Sequence, residues 1–134
     1  MAKSFDIKVL PIYQKDDEVL PDMPGLHVVT PPKRAARRRS AEQLILHLSV
    51  VGNAPLTPKA ADQILRKLSQ EFYQTEGSTT SALRKVAEVL NQYLHDRNLR
   101  GSSRGVRGVG ILTQFVFRGD GLIFAQSGNS HVYL

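Results

Sequence analysis

The sequence predicts an α+β fold in which two amphipathic helices pack on one face of an antiparallel β-sheet. Three observations support this fold: an apolar run near residue 50, two stripes of apolar residues at helical spacing, and a last third in which β-rich runs alternate with tight turns. The order strand, helix, helix and then a meander of strands is typical of helices segregated to one side of an antiparallel sheet. The 134 residues are enough for one domain with one core.

The first long predicted strand is the run LILHLSVV at residues 44–51, which precedes Gly52-Asn53. Its length and its turn-forming end favour a buried strand over a helix. His47 lies inside this run. A lone histidine in an apolar strand is interpreted as a core or edge residue rather than as a metal ligand.

Two helices are predicted to follow this strand. Thr57 is a suitable N-cap because Pro58 then occupies the first helical position, where proline removes no hydrogen bond. The first helix should end near Gln74, and the second should begin within Ser78–Ser81 and stop at Gly101. The two apolar stripes consist of Ala61, Ile64, Leu65, Leu68 and Phe72, and of Leu83, Val86, Ala87, Leu90 and Leu94.

The last third of the chain predicts a meander. Residues 108–118 are β-rich and lead into the sequence Arg-Gly-Asp-Gly, whose Asp-Gly pair is favoured in hairpin turns. Residues 122–126 would return as the partner strand. Gly128-Asn129 then forms a second tight turn, and residues 131–134 are predicted to leave it as a further strand.

The first 36 residues are predicted to be an irregular lead-in, because five prolines interrupt them and they carry a knot of acidic residues. Phe5, Ile7 and Val9 alternate with polar residues, which is consistent with one short edge strand. Residues 26–30 are a second candidate for a short strand.

The formal net charge of +6 is concentrated in two basic segments, residues 33–39 and residues 97–108. Neither segment contains interleaved aromatic residues, so neither offers a platform for stacking the bases of single-stranded nucleic acid. A solvated basic loop is the simplest interpretation of the first segment, and binding of phosphate groups on a protein or a nucleic acid is the alternative.

Composition excludes several classes of protein. The chain has no cysteine, which rules out disulfides and thiolate metal sites. No apolar run reaches the roughly 18 residues of a membrane span, and no apolar segment follows the first lysine as in a secretory signal. A cytoplasmic location with no membrane association is therefore expected.

The segment RGDGLIFAQSGNSHVYL resembles one in the metal-dependent serine/threonine protein phosphatases of the PPM type (type 2C), which usually follows RGD-x-L-x-V-A-x-V-G-D-S-R-x-Y-L. The resemblance covers roughly residues 37–134, which would form the N-terminal half of such a domain after a lead-in of residues 1–36. It implies that the sheet is part of an α-β-β-α sandwich. The positions that match the pattern are Arg118, Gly119, Asp120, Leu122, Ala125, Gly128, Ser130, Tyr133 and Leu134.

In that family two divalent metal ions, held by carboxylates, bridge a water molecule that attacks a phosphoserine or phosphothreonine. The resemblance maps the metal-binding positions to Glu42, Gly52, Asn53 and Asn129. Only the first retains a carboxylate, and asparagine keeps an oxygen but loses the charge that a hard dication requires. The family's metal site is therefore expected to be degenerate in this chain, without a bound cofactor.

Three functions follow from these observations. The leading one is a catalytically inactive, phosphatase-like regulatory or protein-binding module that docks a phosphorylated or acidic protein. Its binding residues would be Lys33, Arg34, Arg37, Arg38 and Arg39, because a guanidinium can pair two phosphate oxygens at once.

The first alternative is an active phosphatase that uses Mg²⁺ or Mn²⁺ and is completed by residues beyond 134. The second is a basic protein that associates with nucleic acid, a partner that the composition disfavours. An uncovered sheet edge would also call for a homodimer or for completion of the fold by a second chain.

Overall fold

The computed structural model describes residues 7–119 and 121–133, and it confirms the α+β prediction. Two short 3₁₀ turns, Arg39–Ala41 and Ser102–Arg104, precede the two longest strands. The regular elements are β1 (Tyr13–Lys15), β2 (Glu18–Leu20), β3 (Leu26–Val29), β4 (Glu42–Gly52), α1 (Pro58–Gln74), α2 (Thr79–Arg100), β5 (Gly108–Arg118) and β6 (Gly121–Ser127).

The main sheet has four antiparallel strands in the order β3-β4-β5-β6. Strands β4 and β5 form its centre, pairing continuously from Glu42 opposite Arg118 to Gly52 opposite Gly108. Strands β1 and β2 form a separate two-stranded hairpin. Asp16 and Asp17 make its turn with φ of 52° and 64°, a left-handed conformation that aspartate tolerates and that two-residue hairpins require.

Both helices pack on one face of this sheet, as predicted. Because side chains alternate along a strand, Leu44, Leu46 and Leu48 of β4 all point to the same side, and all three are buried. The apolar stripes of both helices complete the core on that side. Its remaining members are Ile64, Leu65, Leu68, Phe72, Tyr73, Ala82, Leu83, Val86, Leu90, Leu94, Leu112 and Val116.

The helix ends agree with the sequence prediction. The hydroxyl of Thr57 accepts a hydrogen bond from the amide of Ala60 at 3.2 Å, and Pro58 is the first helical residue. Ser78 caps α2 in the same way. Gly101 ends α2 with φ of −95°, so positive φ is not the reason for glycine there. An added Cβ would instead overlap the side chain of Val106, and close packing therefore requires glycine.

The opposite face of the sheet, here called the open face, carries Ile45, Phe115 and Phe124. Ile7 lines a cleft with Gln43 and Phe117 of this face, and Tyr13 lines a groove with His47 and Ser49.

Two strand predictions differ from the structure. Ile7 and Val9 form no strand, while Phe5 lies outside the described residues. The strand predicted over residues 131–134 is wrong for residues 131–133, which are irregular. That prediction used only the β-propensity of the residues, and a strand also needs a neighbouring strand to pair with. Asp120 and Leu134 lie outside the described residues as well. Within the described ranges, neither helix is long and apolar enough to cross a lipid bilayer.

Candidate functional site

The 3₁₀ turn before β4 buries one arginine of the basic segment. The side chain of Arg39 is fully buried, and its Nη1 donates to Oε2 of Glu42 at 2.7 Å. Its Nη2 donates to the carbonyl oxygen of Gly77 at 2.5 Å, in the loop between the helices. The guanidinium also lies over the ring of Phe72, 5.3 Å from its centroid. Arg39 therefore fastens the basic segment to the core.

Glu42 is the acceptor at the centre of this network. Its Oε1 accepts a hydrogen bond from Thr79 Oγ1 at 2.7 Å, and Nη1 of Arg118 lies 3.8 Å from the same oxygen. The hydroxyl of Tyr73 donates to the main-chain oxygen of Glu42 at 2.8 Å, and burial raises the pKa of Tyr73. Glu42 is fully buried, so its carboxylate neutralises internal cations and does not face solvent.

The other four predicted phosphate-binding residues remain on the surface. Lys33, Arg34, Arg37 and Arg38 are all exposed, whereas Arg39 is not. Arg118, with a side chain that is 52% exposed, lies at the same end of the sheet through its proximity to Glu42. We call Lys33, Arg34, Arg37, Arg38 and Arg118 the basic rim.

Two main-chain hydrogen bonds fix the loop that carries these cations. The amide of Ala36 donates to the carbonyl oxygen of Tyr73 at 2.7 Å. The amide of Arg39 donates to the carbonyl oxygen of Ala36 at 2.8 Å. Ser40 Oγ also donates to the carbonyl oxygen of Arg37 at 3.0 Å. The loop is thus held at its middle and at its end against the C-terminus of α1.

The positions that resemble the family's metal ligands do not all come together. Glu42 and Gly52 are the two ends of β4, an 11-residue strand, so they lie about 33 Å apart. Gly52 and Asn53 lie where β5 begins, since Gly52 pairs with Gly108. Gly128 contacts Gly110 and Ile111, which places Asn129 at this same end of the sheet. We call Gly52, Asn53 and Asn129 the turn rim.

The side chain of Asn53 is engaged in structural hydrogen bonds. Its Nδ2 donates to the carbonyl oxygen of Gly105 at 2.7 Å, and its Oδ1 accepts from the amide of Arg107 at 2.9 Å. Nη2 of Arg97 donates to the carbonyl oxygen of Pro55 beside it at 3.3 Å. Asn53 therefore joins the loop after β4 to the loop before β5, and the guanidinium of Arg97 lies near this junction.

No group of three or more histidine, cysteine, aspartate or glutamate side chains with metal-binding geometry occurs within residues 7–119 and 121–133. Asp62 lies on α1 and lines a groove with His47 and Ser49. Asp120 falls outside the described residues. The described turn rim thus offers amide and main-chain oxygens only.

The groove that contains His47 was not predicted from the sequence. It has a volume of about 370 Å³ and lies between the β1–β2 hairpin, the start of β3, the middle of β4 and the N-terminal turn of α1. Burial lowers the pKa of His47, and burial followed by the charge of Arg66 lowers the pKa of His27. Four separate segments of the chain line the groove, and a local sequence pattern cannot predict that distant segments come together.

A comparison of the chain with protein-family models, curated proteins and solved structures finds no match. The resemblance to PPM-type phosphatases therefore stays a prediction from the residues of the C-terminal segment quoted above.

Proposed function

We propose that this chain is a phosphatase-like domain that lacks metal-dependent catalysis and acts as a regulatory or protein-binding module. The observation that carries the proposal is the bonding of Asn53 between Gly105 and Arg107. A hard dication needs several oxygen ligands with negative charge. At the turn rim both polar atoms of the Asn53 amide are already bonded, and the nearby positive charge of Arg97 disfavours a metal ion.

The proposed partner is a phosphorylated or acidic protein, and the proposed contact is the basic rim. Within the described residues, no ion pair joins Lys33, Arg34, Arg37 or Arg38 to a carboxylate. Arginine forks pair with two phosphate oxygens at once, and such charge-assisted hydrogen bonds are among the stronger ones in proteins. Arg39 is left out of this contact because its side chain is fully buried, with Nη1 and Nη2 bonded to Glu42 and Gly77. A cytoplasmic location belongs to the same proposal.

Binding of a labelled phosphoserine peptide and of its unphosphorylated form, measured by fluorescence anisotropy, tests this function. We expect the phosphorylated form to bind more tightly, and the double variant Arg37→Glu/Arg38→Glu to lose at least about tenfold in affinity, since each charge-assisted hydrogen bond contributes roughly 1.5–3 kcal/mol. Lys67→Glu/Lys85→Glu is the matched control, because both lysines are exposed on the helices and the charge change is identical. An equal loss in the control would show that net charge alone drives binding.

Calorimetric titration with MnCl₂ and MgCl₂ separates the proposal from the active-phosphatase alternative. No heat of metal binding is expected. Micromolar binding together with hydrolysis of p-nitrophenyl phosphate by the complete gene product would contradict the proposal. A nucleic-acid function would instead appear as oligonucleotide binding that weakens steeply with salt, because phosphate contacts release counterions.

A further inference from the structure

Strand β6 has an outer edge that is unprotected against pairing with another strand. It is the last strand in the order β3-β4-β5-β6, and nothing in the described part of the chain pairs with its outer side. Its sequence, GLIFAQS, contains no charged residue and no proline. Leu122, Ile123 and Phe124 are 37%, 40% and 43% exposed. Natural sheets normally protect an edge with lysine, proline, a bulge or a very short strand.

The opposite edge of the same sheet has that protection. Strand β3 is only four residues long, Pro24 precedes it, and Pro31-Pro32 follows it closely. The two edges of this sheet therefore differ in their capacity to accept another strand. A pairing partner would bind at β6 and would be excluded from β3.

The chain's own C-terminal segment is directed away from the outer side of β6. Ser130 Oγ lies 3.1 Å from Thr113 Oγ1 and 3.3 Å from Gln126 Nε2. Thr113 belongs to β5 and pairs with Gln126 on the open face. These contacts draw residue 130 across the face of the sheet toward its centre, away from the outer edge of β6.

We propose that β6 is a dimerisation strand, and that its occupant is β6 of a second copy of this chain, paired antiparallel about a two-fold axis. Phe124 is the midpoint of the seven-residue strand, so an axis there pairs the whole strand with its copy. Leu122 then lies opposite Gln126 of the second copy, and Ile123 lies opposite Ala125. No like charges face each other in this register, and the two Phe124 rings form a cross-strand aromatic pair.

This pairing joins two four-stranded sheets into one eight-stranded sheet with the helices of both copies on the same face. It rests on the edge of β6 and not on the basic rim, which lies at the β4 start of the sheet. The tests of the dimer are therefore independent of the tests of the proposed ligand-binding function.

Sedimentation equilibrium of the 134-residue chain over a concentration series tests the proposal. We expect a concentration-dependent rise to twice the 14.9 kDa chain mass. Ile123→Lys and Phe124→Lys should each return the chain to monomer, because a lysine on either face of an edge strand opposes pairing. Val28→Lys, at a site 44% exposed on the β3 edge, should leave the dimer intact. Circular dichroism melts establish that each variant is folded.

Cross-linking tests the register, because the chain has no native cysteine. Phe124→Cys should give a disulfide-linked dimer under mild oxidation, since residues directly opposite each other in antiparallel strands lie within disulfide range. Val28→Cys should not. A chain that stays monomeric at every concentration overturns the proposal. This holds also if the monomer's own C-terminal residues are found to protect the β6 amides from exchange. A dimer that persists in both lysine variants also overturns edge pairing. A dimer that is lost only in Phe124→Lys overturns it too, because that result would show that the open face is the interface.

Discussion

Arg39 shows that the burial of a residue in a basic segment depends on contacts with distant parts of the chain. Residues 33–39 contain five cations that look equivalent in the sequence, yet the structure buries Arg39 and leaves the other four exposed. The spacing of Arg39 and Glu42 is a sequence signal for an ion pair, but the buried network also includes Gly77 from the loop between the helices and Thr79 from the start of α2. Those contacts span 37 and 38 residues, a range that no local pattern covers.

Arg39→Met should destabilise the protein by about 3–5 kcal/mol, because removing one partner of a buried ion pair leaves the charge of Glu42 uncompensated. Urea denaturation followed by circular dichroism measures the change. Arg38→Met is the matched control, since Arg38 is exposed and its loss should change stability by less than about 0.5 kcal/mol. Equal stabilities for the two variants would contradict the structural role of Arg39.

The half-buried histidines predict a pH dependence of stability. Burial lowers the pKa of His47 below its usual 6.5, so the unfolded chain binds a proton more readily than the folded one. Stability from this group is therefore present above pH 6.5 and is lost as the pH falls below that value. His47→Gln should flatten the decline in thermal midpoint between about pH 7 and 5 relative to the wild type. An unchanged slope in the variant would assign the decline to other groups.

Among the elements, both helices and the strands of the main sheet could be predicted from the sequence, including the short strand β3 within residues 26–30, whereas the β1–β2 hairpin could not. Apolar periodicity and caps predicted α1 and α2, and the predicted strand over residues 108–118 coincides with β5. The three-residue strands of the β1–β2 hairpin carry too few residues to show a period, and their turn depends on two aspartates at positive φ. The strand expected after Gly128 failed because strand formation requires pairing, which sequence propensity does not contain.

Gly52 and Gly77 form a matched pair for testing the junction of β4 and β5. Both have positive φ, 129° and 95°, so alanine strains the backbone at either position. An added Cβ at Gly52 would also overlap the carbonyl oxygen of Arg107, whereas the space at Gly77 is open. Gly52→Ala should therefore lower the unfolding free energy by clearly more than the roughly 1–2 kcal/mol expected for Gly77→Ala. Similar losses would show that the junction can relax.

At the scale of the whole molecule, stability should decrease from the centre of the sheet outward. Strands β4 and β5 each pair on both sides and bury core leucines, whereas β1 and β2 pair only with each other. An isolated two-stranded hairpin is marginally stable in water. Hydrogen–deuterium exchange should find the slowest amides in β4 and β5 and the fastest strand amides in the hairpin. Comparable protection in both regions would contradict this order.

Some features of the candidate site could be predicted from the sequence, and others depend on the folded structure. The sequence identified the turn rim and four residues of the basic rim, but Arg118 joined the basic rim only through its position beside Glu42. It could not show that Glu42 lies at the end of β4 opposite Gly52, because the resemblance treats them as parts of one metal site while the register of β4 separates them. Strand length, a property of the folded chain, decides the distance between these residues.

The anchoring of the basic loop by Arg39 has a consequence for binding kinetics. A flexible loop that becomes ordered around a ligand loses conformational entropy at the moment of binding, which weakens the complex. Here that entropy is lost when the chain folds, since Arg39 and Ala36 already hold the loop to the core. A ligand of the basic rim thus meets a preorganised surface. Its association should follow a single phase whose rate is set by diffusion and ionic strength, without a slower rearrangement step.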